Sequence, residues 1–295
     1  MLKYRIIIGT VLVIGLLGLF LLDDYLARET GVAWAPVFFT VVGLVAVGAV
    51  YEMSLLLRRR GWRIYEMPAL AAVLAMLSLA AVCHATGVRL LFHIGPMTIG
   101  PALIVLVLLV MALLVAEVAR NWRTDGIDVA IQSIGATVLI VLYVGVLLAF
   151  VIAIRFLRQP AGLGCLLTWI AAVKAGDIGA YIAGRALGRH KLIPRLSPGK
   201  TVEGCLGGFV LGLAVALAIG RPLLALPWWQ LLVFGVAVTV FGMLGDLAES
   251  LIKRASEAKD SSSMVPGYGG LLDVIDSLLL SAPVAYGLLM LFGAR

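Results

Sequence analysis

Residues 245–276 read GDLAESLIKRASEAKDSSSMVPGYGGLLDVID, and they join the end of one apolar run to the start of another. Asp246, Glu249, Ser250 and Lys253 fall at i, i+3, i+4 and i+7, so a helix carries all four polar groups on one face. Pro266, Gly267, Gly269 and Gly270 mark a polar turn, after which Asp273 and Asp276 share a face of the next helix. The flanking runs, near 228–250 and 271–292, are each long enough to cross a bilayer. Two acidic helix faces joined by a basic, glycine-rich loop suit a cation and a polyphosphate.

The whole chain shares this apolar setting. Its 295 residues are 62% hydrophobic and 13% charged, against roughly 45–50% apolar and about 25% charged in a soluble domain. The fold class is therefore all-α, a polytopic integral membrane protein. Nine candidate spans lie near 6–22, 35–57, 67–87, 101–119, 133–154, 162–184, 203–220, 228–250 and 271–292. Lys3 and Arg5 before an apolar run resemble a signal peptide, but Asp23, Asp24 and Tyr25 follow where small residues would mark cleavage. We read residues 1–22 as a retained first span.

Lys and Arg orient the spans. Sixteen of the 23 fall on one side if the N-terminus is cytoplasmic, six fall on the other, and Lys174 lies inside a span. That places the two longest charged loops, 185–202 and 253–270, in the cytoplasm. The net charge of +7 is then the ordinary basic fringe beside anionic lipid and calls for no nucleic acid.

The polar chemistry is uneven along the chain. Residues 1–160 hold acids mostly at loop and interface positions and are expected to form a transmembrane scaffold. Glu52 lies nearest a span interior, where the Arg58–Arg60 run suggests an interfacial pair. Cys83, Cys165 and Cys205 stand singly, as do His84, His93 and His190, with no zinc spacing. Residues 161–295 are expected to form the catalytic region. Asp177, Asp246, Glu249, Asp273 and Asp276 all fall in or at the ends of spans, where a lone charge costs about 2.5–3.5 kcal/mol. A bound divalent cation with basic partners would offset that cost.

A second constellation precedes the first. Asp177, Tyr181, Gly184 and Gly188 recur at helical spacing, giving a thin face that another helix or a ligand can approach. Arg185, Arg189, Lys191, Arg195 and Lys200 follow closely. Ser197-Pro198-Gly199-Lys200-Thr201-Val202-Glu203-Gly204 then opens a helix. Hydroxyls, a lysine and helix N-terminal amides together favour phosphate, although the glycine spacing is not that of a Walker loop. Carboxylates and cations in this combination match phosphoryl or nucleotidyl transfer.

Ser250-Leu-Ile-Lys253-Arg254, Lys259-Asp260 and the Gly-Gly-x-x-Asp-x-x-Asp ending at Asp276 resemble the signature of the phosphatidate cytidylyltransferases, the CDP-diacylglycerol synthases. Asp177-x-Gly-Ala-Tyr181-x-x-Gly184-Arg185 and Ser197-Pro-x-Lys200-Thr201-x-Glu203-Gly204 resemble that family's other motifs. The resemblance spans roughly 165–280; earlier residues share only hydropathy. It implies an enzyme of the bacterial inner membrane, commonly a homodimer. Such enzymes join CTP to phosphatidic acid for phospholipid synthesis, release pyrophosphate and use magnesium; whether a second, monovalent cation accompanies it is left open.

By motif, Asp246 and Asp273 would be the catalytic metal-binding acids, with Glu249 as a further ligand and Asp276 supporting the substrate side. Lys200, Lys253, Arg254 and Lys259 would handle phosphates. Asp177, Tyr181, Arg185, Ser197, Thr201, Glu203 and Ser250 would shape the pocket. Three positions depart from the family pattern: Tyr268 replaces a usual His, Val274 a usual Arg and Gly199 a common Lys. These leave the acids in place but put the lipid acceptor in question. One rival is therefore a related lipid kinase or cytidylyltransferase acting on an isoprenoid phosphate. A cation-coupled transporter is the other, though it predicts matching halves, whereas the polar motifs here crowd into one.

Overall fold

The computed structural model describes residues 15, 18–26, 29, 35–86, 92–94, 97–99, 101–121, 129–157, 162–258, 261–262 and 269–293. In chain order these form α1 (Pro36–Arg59), α2 (Glu66–Thr86), β1 (Phe92–Ile94), β2 (Met97–Ile99) and α3 (Pro101–Asn121). Next come α4 (Ala130–Ile140), a π-helical segment (Val141–Val146) and α5 (Leu147–Arg155). The remainder are α6 (Gly162–Leu187), β3 (Lys191–Ile193), β4 (Ser197–Thr201), α7 (Val202–Leu224), α8 (Trp228–Ala255) and α9 (Leu272–Leu291). Segments α4 and α5 make one continuous span through the π turn. Among the described residues, eight helices are long and apolar enough to cross a membrane, and they coincide with eight of the nine expected spans. The ninth, near 6–22, lies largely outside the described residues. Two short antiparallel strand pairs, β1–β2 and β3–β4, are additions to the all-α expectation.

Helix ends follow local chemistry. Helix α1 has Pro36 at its first turn, where a missing N–H costs nothing, and Arg58 and Arg59 in its last turn, beside the negative dipole end. Gly61, at φ 79°, takes the left-handed conformation that ends the helix. Thr201 caps α7: its backbone is extended and its Oγ1 accepts from Gly204 N at 3.1 Å.

The chain divides into two compact units. One comprises Met1–Ile152 together with Ser256–Leu272; the other comprises Ala153–Ala255 and Asp273–Arg295. In the first unit, Tyr65 Oη donates to Glu117 Oε1 at 2.8 Å, and Arg120 pairs with the same buried carboxyl group. Burial, then the Glu117 hydrogen bond and charge, push the Tyr65 phenol up to about 12.

Glu52 corrects an expectation. It is fully buried on α1 and makes no ion pair with the nearby arginines; Arg58 pairs instead with Glu66 at 2.6 Å, and Arg60 with Glu257. Its carboxylate is filled by neutral donors of the 256–272 segment. Oε1 accepts from Leu271 N (2.8 Å) and Ser262 Oγ (2.6 Å), Oε2 from Leu272 N (2.8 Å) and Ser261 Oγ (3.2 Å).

In the second unit, α6 and α7 approach at backbone distance. A Cβ on Gly207 would strike Ala183 Cβ, and one on Gly204 would lie 2.9 Å from the Ala180 carbonyl oxygen. Gly184 and Gly188 meet Thr201 in the same way, at 3.1 and 2.9 Å. The thin face of α6 thus receives a helix, as small residues in membrane helices commonly do.

Candidate active site

The second unit gathers the acids of α8 and α9. Asp246, Glu249 and Asp276 each present a carboxylate oxygen such that all three atoms lie within 4.8 Å of one another. Gly245 makes this possible. A Cβ there would run into the Asp276 carbonyl oxygen and sit 3.2 Å from Leu280 Cβ, so the missing side chain lets α8 and α9 close together beside the acids. Glu249 is fully buried and Asp276 is 6% exposed.

Asp273, expected to share the ion with Asp246, is outside this trio. Its Oδ1 accepts from Lys253 Nζ at 2.5 Å, and Lys253 pairs at the same distance with Glu249. The physical reason is helical: Asp276 lies one turn beyond Asp273, at the level where Gly245 admits the α9 backbone. Asp273 therefore joins the site through Lys253. Lys200, arriving from β4, pairs with Asp246 at 2.8 Å.

Further along α9, Lys174 of α6 donates to Ser277 Oγ (2.8 Å), the Val274 carbonyl (2.9 Å) and Asp177 Oδ2 (3.1 Å). Ser277 Oγ donates in turn to Asp177 at 2.9 Å, so Asp177 fastens α6 to α9. Lys174 thereby sets an ammonium on the carbonyl of Val274.

Five carboxyl groups (Asp177, Asp246, Glu249, Asp273 and Asp276) thus sit with three ammonium groups (Lys174, Lys200 and Lys253). Fully ionised, the set carries an excess of two negative charges. Leaving its buried members, Glu249 and Asp276, unpaired would cost several kcal/mol per ion, while Asp177 and Asp246 are part-exposed. A hard divalent cation on the Asp246–Glu249–Asp276 oxygens fits both the donor chemistry and the charge.

The other expected residues take distinct places. Thr201 and Glu203, read as pocket residues, hold local structure: Thr201 caps α7, and Glu203 accepts from Arg189 N (3.0 Å), His190 N (3.2 Å) and His190 Nδ1 (2.5 Å). The bond set fixes the approach to the β3–β4 hairpin, in which Lys191 faces Thr201 and Ile193 faces Ser197. Lys200 is held one residue before the cap. Tyr181 and Arg185 pair with each other on the exposed end of α6 at 2.9 Å, and Arg254 Nε reaches the Leu196 carbonyl at 3.4 Å. Ser250 is half-buried on α8. Lys259 and Tyr268 lie outside the described residues.

A family model described as "Cytidylyltransferase family" matches residues 3–292. The chain belongs to the cytidylyltransferase family. Among curated proteins, a phosphatidate cytidylyltransferase of Bacillus subtilis (strain 168) is 41% identical over 162 residues, covering 55% of this chain and 60% of the relative. One from Brucella suis is 41% identical over 136 residues (46% of this chain, 49% of the relative). One from Synechocystis is 42% identical over 129 residues, 43% of each. The chain thus spans about half the length of the curated relatives it matches.

Four residues that build this family member's site region lie outside the set expected from the sequence. Lys174 was legible as a charge inside a span; Ser277, which it grips, carried no comparable signal. Gly245 looked like any helical glycine. His190, taken for a bystander, had a partner thirteen residues away that no local periodicity connects to it.

Proposed function

We propose that the protein is an inner-membrane CTP:phosphatidate cytidylyltransferase that makes CDP-diacylglycerol and pyrophosphate. The observation that carries this reading is the Asp246–Glu249–Asp276 trio, two of its acids buried, with Lys200 paired to Asp246 and Lys253 to Glu249, in a chain of the cytidylyltransferase family. The names of the curated relatives support phosphatidate as acceptor. The excess of Lys and Arg on one side of the spans supports a site opening to the cytoplasm. A homodimer belongs to this reading on the strength of the family resemblance alone.

In the reaction, a phosphate oxygen of phosphatidate attacks the α-phosphorus of CTP. A new P–O bond forms, the bond to the β-phosphate oxygen breaks, and pyrophosphate leaves with that electron pair. The nucleophile is already anionic, so the protein need supply no strong general base. Asp246, Glu249 and Asp276 would hold magnesium, which when bound neutralises phosphate oxygens and aligns the displacement. Lys200, paired with Asp246, and Lys253, paired with Glu249, bind phosphate oxygens and stabilise the departing charge. Asp273 orients Lys253, and Glu203 steadies the hairpin that delivers Lys200.

The test supplies the purified protein in lipid with CTP labelled at the α-phosphorus and two competing acceptors, phosphatidate and an isoprenoid phosphate. Labelled CDP-diacylglycerol with one pyrophosphate per product is expected. Label in the isoprenoid product would contradict the acceptor assignment. Cation uptake by sealed vesicles without CTP, and no lipid product, would overturn the enzyme reading.

A further inference from the structure

We propose that Glu52 is a positioning residue for the transfer site, acting through the segment that leads into α9. Its carboxylate is full: two oxygens, four donors, two of them backbone amides. The first four N–H groups of any helix lack partners within it. Glu52 satisfies the N–H of Leu272, the first residue of α9, and of Leu271 just before it. One peptide bond further on is Asp273, and one turn beyond that is Asp276.

Two glycines make room for this clasp. A Cβ on Gly270 would collide with Ser261 Oγ and Glu52 Oε2; one on Gly48 would lie 2.6 Å from Leu271 Cδ2. Gly48 and Glu52 are four residues apart, so a single face of α1 receives the segment. Arg60, two turns further, pairs with Glu257 near the segment's other end. Segment Ser256–Leu272 therefore groups with α1, although the helices on either side of it carry the acids. A fully buried carboxylate on a membrane helix is costly, and no Lys or Arg among the described residues offsets it. The donors that do so belong to the one segment joining α8 to α9.

The proposal rests on the cytidylyltransfer reading of the site, and two readouts separate them. Glu52→Gln keeps size and one acceptor oxygen but turns the other end into a donor facing donors. Hydrogen exchange at the Leu271 and Leu272 amides, which needs no substrate, should accelerate at least about tenfold. Turnover of CTP and phosphatidate per folded molecule should fall about 10–100-fold in kcat, as a displacement near 1 Å does, with KM for the lipid unchanged. Unchanged exchange, or kcat within about twofold of the parent, overturns the proposal. A parent protein that makes no lipid product refutes the cytidylyltransfer reading, while the exchange result still decides whether Glu52 holds the start of α9. Should Glu52→Gln not accumulate, Ser262→Ala removes one donor and carries the same test at about threefold in each readout. No change in either would overturn the proposal.

Discussion

Lys253→Met tests the charge arrangement that holds the site together. Lys253 bridges Glu249 and Asp273, and the three side chains are 13%, 0% and 11% exposed. Exposed pairs of this kind contribute under about 1 kcal/mol, because solvent screens them. At these exposures the buried regime applies, in which removing one partner costs about 3–5 kcal/mol by stranding the other. Methionine keeps most of the stem and removes only the charge, so little of the loss is packing. A loss near 4 kcal/mol corresponds to about a thousandfold in the unfolding equilibrium. Denaturant unfolding in mixed micelles, followed by tryptophan fluorescence, reads it. The double variant Lys253→Met/Asp273→Asn removes one stranded charge and should recover about 1–2 kcal/mol, an interaction of the size expected for residues in contact. A single-variant loss below about 1 kcal/mol, or effects that simply add, would refute the claim that Lys253 neutralises both acids.

Three further outcomes follow from the geometry. Asp276→Asn should abolish turnover, by about a thousandfold or more, with membrane insertion intact; Asp273→Asn should also lose activity, through Lys253, yet retain more metal affinity. Assays paired with metal titration distinguish the two. Gly207→Val should cost about 1–3 kcal/mol or more by forcing α6 and α7 apart at Ala183, seen as a lower unfolding midpoint. Tyr65, with its phenol pushed up to about 12, should remain un-ionised at pH 11, read as the 295 nm difference between the protein and Tyr65→Phe. Because the folded value lies above the unfolded one near 10, its contribution to stability is full below about pH 10 and is lost as pH rises through 12.

The spans were legible because twenty-residue apolar runs have few other uses, and the acidic face of α8 because its spacing is helical. Long-range pairing was not. Asp273 and Asp276 share a face in sequence, and only the packing of α9 on Gly245 selects Asp276 for the trio. Glu52 stood six residues from an arginine run, which made a local ion pair the natural reading; its actual donors lie 209 to 220 residues away. Thr201 reads as part of an anion-binding helix mouth because capping and anion binding use the same residue types at a helix N-terminus, and Glu203 reads as a pocket residue by motif alone because its partners Arg189 and His190 lie fourteen and thirteen residues away.

We propose that Asp246, Glu249 and Asp276 together hold one divalent cation. Titration of the detergent-solubilised protein with manganese, followed by electron paramagnetic resonance, tests it most directly. One tight site per chain is expected, displaced by magnesium and lost in Glu249→Gln and Asp276→Asn. Tight binding that survives both substitutions, or none in the parent protein with CTP present, would contradict it.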